Sequence, residues 1–378
     1  MNIVFLSQEY PLWSPGGVGT FLQTFGRALI LDNHKVTILG VGVEEKEIHM
    51  EDKEVQLIRL PKSKGILPGF IQNGIQLNKK LKEIHKVQQI DIIESTELGL
   101  ALLSNKHKAR KVIRLHGGHH FFAEAEKRGI NWRKGFLEKR SFTKADGFIA
   151  VSNYVKSHTE KYLSYHYKPI EIINHPLDDP IEVSNILIKK NHILFAGTVC
   201  EKKGARQLIE AFKIVRGKYP EMILDIFGRD WFYPDGSSYI KILKNNYDRS
   251  YFENVLFHGT ITRAELNVRY AEASFCVFPS HMETQGLVSL EAMLLKKPVI
   301  SSKYGPGPET ISHMKTGLLC DVYNPHDIAK KMIWCIENPI EANQLGINAE
   351  KKVRVIYNKN TILEKNIAFY NKLILNKI

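Results

Sequence analysis

The chain reads as an α/β protein made of two doubly wound, Rossmann-like domains. Three observations carry that reading. A strand–glycine–helix–strand unit opens the chain and returns about 190 residues later, the repeat expected of two α/β halves. The polar, turn-rich stretch 178–190 has the composition of a linker between them. At 378 residues the chain is long enough for two cores. The domains are expected at 1–177 and 178–360. Ligands of such sheets lie beyond the carboxyl ends of the strands, so with two domains facing each other the cleft between them is the expected site.

The first domain starts with a strand over Ile3–Ser7, a loop from Pro11 through Pro15-Gly16-Gly17-Val18-Gly19, an amphipathic helix from Thr20 to about Leu31 and a strand over Lys35–Leu39. Gly16 and Gly17 let backbone approach a phosphate closely, although turns use such loops as well. The GxGxxG spacing of a dinucleotide fingerprint is missing. Further on, residues 112–117 (Val-Ile-Arg-Leu-His-Gly) end a strand on His116, and 145–152 form another strand ending in Ser152.

The second domain begins with strand His192–Ala196, the loop Gly197-Thr198-Val199-Cys200-Glu201-Lys202-Lys203-Gly204, a helix from Ala205 to about Lys218, and strand Met222–Phe227 followed by Gly228-Arg229. Its most informative stretch is 279–302. A buried-strand pattern, Ala273–Phe278, ends at Pro279; Glu283 falls on the following loop, Gly286 precedes an apolar run, and Glu291 lies about a turn into the helix. The two carboxylates therefore bracket a helix start. The free N–H groups near Gly286, Leu287 and Val288, with the positive end of the helix dipole, favour a diphosphate. A carboxylate on each side can accept from hydroxyls of a sugar and a ribose. Two glutamates on a loop and a helix are otherwise ordinary solvated charge, so the neighbours decide.

Glu283, Gly286, Leu287, Glu291, Ala292, Met293 and Pro298-Val299-Ile300 resemble the glutamate-pair motif of glycosyltransferase family 4, retaining enzymes of the GT-B fold. The glycine loop at 16–19, His116-Gly117, the hinge-like run 172–178, Val255–Gly259 and Gly305-Pro306-Gly307-Pro308-Glu309 extend the likeness over about 370 residues. It implies that Glu283 orients the donor sugar and steadies its positive ring, that Glu291 holds the ribose, that His116 faces the donor and that Lys203 meets the diphosphate. It also implies that a last helix, 361–378, crosses back to the first domain. The family's phosphate loop carries an arginine directly after its first glycine; this chain has Thr198, which can donate one hydrogen bond but has no charge. Arg229 is the candidate replacement, and Lys202 is an alternative to Lys203.

Composition sets further bounds. The chain is 43% hydrophobic and 25% charged, as globular proteins are, and no apolar run reaches the ~20 residues of a membrane span. Cys200, Cys276, Cys320 and Cys335 have no paired spacing, so reduced core thiols in a cytoplasmic protein are expected. The net charge of +13 is uneven: residues 61–145 hold 18 Lys/Arg against 7 Asp/Glu. Lys127-Arg128 to Lys144 interleaves these cations with Trp132, Phe136, Leu137 and Phe142. That pattern suits an anionic membrane surface, with the protein peripheral on the cytoplasmic face. No nucleic-acid motif accompanies it.

The expected function is retaining transfer of a sugar from a nucleotide sugar, with UDP favoured, to a glycan or lipid-linked acceptor in cell-surface polysaccharide or glycolipid synthesis. No metal and no cofactor are expected, since no Asp-x-Asp motif is visible and protein charge can take the leaving group. Two rivals stand beside it: a glycan phosphorylase, which needs a pyridoxal-phosphate lysine, and a GT-B-like protein that binds nucleotide sugar without transferring it.

Overall fold

The computed structural model describes residues 1–14, 16–64, 66–125, 129–179 and 186–375. Pro15, Lys127-Arg128 and the linker residues 180–185 lie outside the described residues. The chain divides into two compact units, 1–178 with 357–378, and 179–356. Both are Rossmann-like.

The first unit runs β1 (Asn2–Leu6), α1 (Gly17–Leu31), β2 (Lys35–Val41), β3 (Ile48–Asp52), β4 (Val55–Leu60), α2 (Gly69–Val87), β5 (Ile92–Ser95), β6 (Arg110–Leu115), α3 (His119–Ala125), α4 (Trp132–Lys144), β7 (Gly147–Ala150), α5 (Asn153–Glu160) and β8 (Ile170–Ile172). Its sheet has the order β3-β4-β2-β1-β5-β6-β7-β8, parallel except for β3. Ile3, Val4 and Phe5 are wholly buried because a parallel strand at the middle of a sheet is covered on both faces. The strand order reverses between β1 and β5, so the loops after these two strands splay apart at a switch point.

The second unit runs β9 (Lys189–Ala196), a 3₁₀ turn (Glu201–Lys203), α6 (Ala205–Lys218), β10 (Ile223–Phe227), α7 (Tyr239–Asn246), β11 (Val255–Gly259), α8 (Arg263–Glu272), β12 (Ala273–Phe278), α9 (Leu287–Leu294), β13 (Val299–Ser302), α10 (Gly307–Thr310), β14 (Leu318–Cys320), α11 (Pro325–Glu337) and α12 (Pro339–Ile356). The six strands lie in the order β11-β10-β9-β12-β13-β14, with every pairing parallel. Its switch point falls between β9 and β12, flanked by the loops that carry Lys203 and Glu283.

The final helix, α13 (Lys359–Leu375), packs in the first unit. Arg114 on β6 is fully buried and donates to Glu94 on β5 (2.7 Å) and to Asn366 on α13 (2.6 Å); Tyr370 donates to the same Glu94 (2.6 Å). The guanidinium also lies 4.6 Å from the centre of the Phe21 ring. Removing one partner of such a buried pair leaves an uncompensated charge, at about 3–5 kcal/mol. The helix is thereby keyed to the sheet by polar contacts as well as by Phe369 and Leu373. All four cysteines are free and buried. Among the described residues no helix is long and apolar enough to cross a membrane.

Candidate active site

In the second unit, the loop after β9 is shaped by two glycines. Gly197 has φ +142° and Gly204 φ +71°, regions that side chains disfavour. A Cβ at Gly204 would come within 1.9 Å of the Pro279 carbonyl oxygen. This close approach seats the 3₁₀ turn Glu201–Lys203 against the start of the loop after β12. As a result the Lys203 ammonium pairs with the Glu283 carboxylate, which also accepts from Ser280 Oγ at 3.0 Å. Both side chains are roughly a quarter exposed, so the pair is open to a ligand.

The glutamate loop ends on Gly286, at φ +76°, which is the N-cap of α9 and supplies no side-chain cap. The first-turn N–H groups of Leu287 and Val288 thus start a helix with no acidic residue in its first turn, where an anion is favoured. Glu291 stands on that helix, and Arg263 at the start of α8 pairs with it at 3.1 Å. A small pocket beside Glu283 is lined by Ser280, Gln285, Gly286, Ser289, Tyr304 and Gly307. The run 305–309 therefore faces the glutamate loop. A Cβ at Gly307 would strike the Ser302 carbonyl oxygen at 1.9 Å, which explains the glycine.

Thr198 and Arg229 follow the carboxyl ends of the adjacent interior strands β9 and β10, whose continuations run side by side. The Val199 N–H donates to the Arg229 carbonyl at 2.9 Å, and the Arg229 side chain is exposed next to the loop. Glu201, missed in the sequence reading, is a hub: it accepts from Arg206 (2.7 Å), Gln207 (2.7 Å) and Tyr239 (2.8 Å). Burial works to raise its pKa, but hydrogen bonds from Arg206, Tyr239 and Gln207 outweigh this and hold it below the usual glutamate value. Arg263 was missed too, although the sequence carries its signal: the capping box Thr262–Glu265 announces a helix start there.

In the first unit, α1 begins at Gly17 rather than Thr20, so the glycine loop is the helix's first turn. The N–H groups expected to meet a phosphate instead donate to the carboxylate of Glu9, from Val18 at 3.1 Å and Gly19 at 3.3 Å. A Cβ on Gly16 would lie 2.1 Å from that carboxylate. A side chain at position 16 would have to displace that carboxylate from the start of α1.

His116 follows β6 and stacks on His175 with centroids 5.0 Å apart, both rings lying against Phe21. Burial first, then the charge of Arg114, pushes its pKa down to about 3. It is a neutral imidazole, able to donate or accept one hydrogen bond but not to supply charge. Beneath the following glycines lie two buried carboxylates that the sequence reading did not single out. Glu97 accepts from the Gly117 N–H at 2.7 Å, and Glu138 accepts from the His119 and His120 N–H groups at 2.7 and 3.0 Å. Burial, with the Glu138 charge nearby, raises Glu97 to about 8.

Residues 179–352 match the family model for "Glycosyl transferases group 1", and residues 15–179 match that for "Glycosyltransferase Family 4". The fold is GT-B. It resembles sucrose-phosphate synthase from Thermosynechococcus elongatus, with a TM-score of 0.83 over 98% of both chains at 21% identity. It also resembles Anabaena Alr3699/HepE in complex with UDP-glucose, with a TM-score of 0.79 over 98% of this chain and 100% of that one at 19% identity. The chain is a glycosyltransferase of the GT-B type. By sequence it is 28% identical to an uncharacterized glycosyltransferase of Methanocaldococcus jannaschii over 77% of each chain. It is 27% identical to the poly(ribitol-phosphate) alpha-N-acetylglucosaminyltransferase of Staphylococcus aureus (strain COL), over 60% of this chain and 40% of that enzyme.

Proposed function

We propose that the protein is a retaining family 4 hexosyltransferase that moves a sugar from UDP to a glycan or lipid-linked acceptor, in polysaccharide or glycolipid synthesis. The Lys203–Glu283 pair at the switch point of the second sheet carries this reading. The pair joins the two groups the chemistry needs: a cation for the leaving diphosphate and a carboxylate for the sugar. When donor binds, Lys203 turns to the diphosphate, joined by the open start of α9 and by Arg229. The C1–oxygen bond then breaks with its negative charge answered by fixed donors. Glu283, released from the lysine, holds sugar hydroxyls and stabilises positive charge on the ring. The acceptor oxygen bonds to C1 on the face the diphosphate leaves, and its proton passes to the departing phosphate oxygen. Glu291, oriented by Arg263, holds the ribose. These cations belong to the protein, so transfer proceeds without a metal ion. The complexes of HepE with UDP and with UDP-glucose support uridine as the base.

Thermal unfolding against UDP, GDP, ADP and their sugars tests the donor. UDP at 100 times its dissociation constant should add about 2.7 kcal/mol, and GDP and ADP should add less. NMR of the sugar released from UDP-sugar should show the donor's anomeric configuration. Inversion, or no nucleotide response, overturns the reading. The uncharged Thr198 favours one rival, a protein that binds nucleotide sugar without transfer. Slow hydrolysis of UDP-sugar in the absence of acceptor excludes it.

A further inference from the structure

We infer that the exposed face of α4, with the chain entering α2, docks the protein on an anionic lipid bilayer. α4 buries Gly135, Glu138, Ser141 and Phe142 and turns its other face to solvent. That face carries Trp132, 79% exposed, and Phe136, 59% exposed, one turn apart. Around these rings stand Arg133, Lys134, Lys139 and Arg140, all exposed. The helix has one acid, Glu138, and it is buried against the His119 and His120 N–H groups. No carboxylate of α4 therefore offsets its exposed cations.

The apolar surface continues beyond the helix. The Arg133 guanidinium lies 5.3 Å from the centre of the Phe70 ring, which sets the start of α2 against the start of α4. The exposed Ile66 and Leu67 stand just ahead of α2, and the exposed Ile130 just ahead of α4. On the other side, Phe136, Lys139 and Arg140 form one wall of a groove shared with Tyr162 and Leu163.

Large exposed apolar groups ringed by cations mark an interaction site, and the combination selects the partner. A soluble polyanion would neutralise the cations and leave Trp132, Phe136, Ile66 and Leu67 wet. A bilayer interface takes both, with rings at the headgroup level and cations against anionic lipid. The charge imbalance of residues 61–145, 18 Lys/Arg against 7 Asp/Glu, adds attraction of the same sign. This surface is independent of the nucleotide site, so nucleotide binding reports separately on the proposed function.

The test is sedimentation with vesicles of phosphatidylcholine alone or mixed equally with phosphatidylglycerol. Binding should require phosphatidylglycerol and weaken as salt rises from about 0.01 to about 0.15 M. R133E/K134E/K139E should weaken it by more than about 100-fold, at about fivefold per unit of charge removed. Arg140 is kept because its Nε donates to the Ala101 carbonyl. W132A/F136A should weaken binding by about tenfold or more while the cations remain. Both variants should keep the stabilisation by UDP seen in the parent chain, which shows that they fold. Equal binding to neutral vesicles, or binding to neither at low salt, overturns the inference. So does full vesicle binding by W132A/F136A together with competition by inorganic polyphosphate, the result expected of a soluble polyanion site.

Discussion

The two switch-point loops start from the same strand–glycine–helix plan and are finished in opposite ways. In the first unit the start of α1 is already answered by a carboxylate, Glu9. In the second, Lys203 stands at the loop, and α9 begins on a glycine that supplies no side-chain cap. One helix end is answered by a carboxylate from within; the other starts on a glycine and has no acidic residue in its first turn. Glycine content does not make a phosphate site. What matters is which charge the tertiary fold delivers to the helix start.

The sharpest way to break this comparison is to remove the carboxylate proposed to act in transfer. Glu283→Gln should lower kcat by about 10²–10³-fold, the scale of one transition-state electrostatic contact, with little change in UDP affinity. A variant that keeps the parent rate on a UDP-sugar would remove Glu283 from the site. Lys203→Ala tests the charge contrast directly. It should weaken UDP by about 10- to 100-fold, as expected for a charged hydrogen bond, and Arg229→Ala should cost UDP more than uridine. Glu9→Gln, by contrast, should leave UDP affinity within about twofold in calorimetry. If UDP binds tenfold tighter to Glu9→Gln, the first loop is a phosphate site that the glutamate blocks, and the contrast fails.

Stability sharpens the same comparison. Gly16→Ala places a methyl group on the Glu9 carboxylate, so it should cost about 0.5–2 kcal/mol, the worth of a helix cap. In a Glu9→Ala background that cost should shrink, since neighbours that share a contact are not additive. Equal costs in both backgrounds would mean that Glu9 does not hold the loop in solution. The last prediction concerns pH. Glu97 is raised from 4.5 to about 8 in the folded chain, so the native state binds a proton that the unfolded state has released. Its contribution is fully present below about 4.5 and is lost as pH climbs to about 8. His116 runs the other way: its folded value near 3 lies below its ordinary 6.5, so its contribution grows between those values and is constant above. Between about 6.5 and 8 the Glu97 slope stands alone of the two, at about 1.4 kcal/mol per pH unit. Glu97→Gln should flatten that part of a denaturant-stability profile, and an unchanged slope would refute the assignment.

The sequence by itself determined the frame. The repeated strand–glycine–helix unit placed two α/β cores, because parallel strands buried on both faces must be short apolar runs and their turns need glycine. It also located the segments that carry Glu283, Lys203 and Glu291, since a strand end, a left-handed glycine and a helix start are local events. Tertiary structure decided what those segments meet. β3 escaped sequence reading because Lys53-Glu54, a pair with no turn signature, takes two left-handed conformations between β3 and β4. Asp52 at that turn is held by Arg27 and Gln23 of α1 and by Tyr10, all distant in sequence. Glu9 on α1, Arg263 on Glu291, and Glu97 and Glu138 under Gly117-Gly118 are likewise pairings across the fold. A charged residue's partner is set by which strands and helices pack side by side. That information is non-local, so a charge that reads as solvated in sequence can become a cap, a counter-ion or a buried acid in the structure.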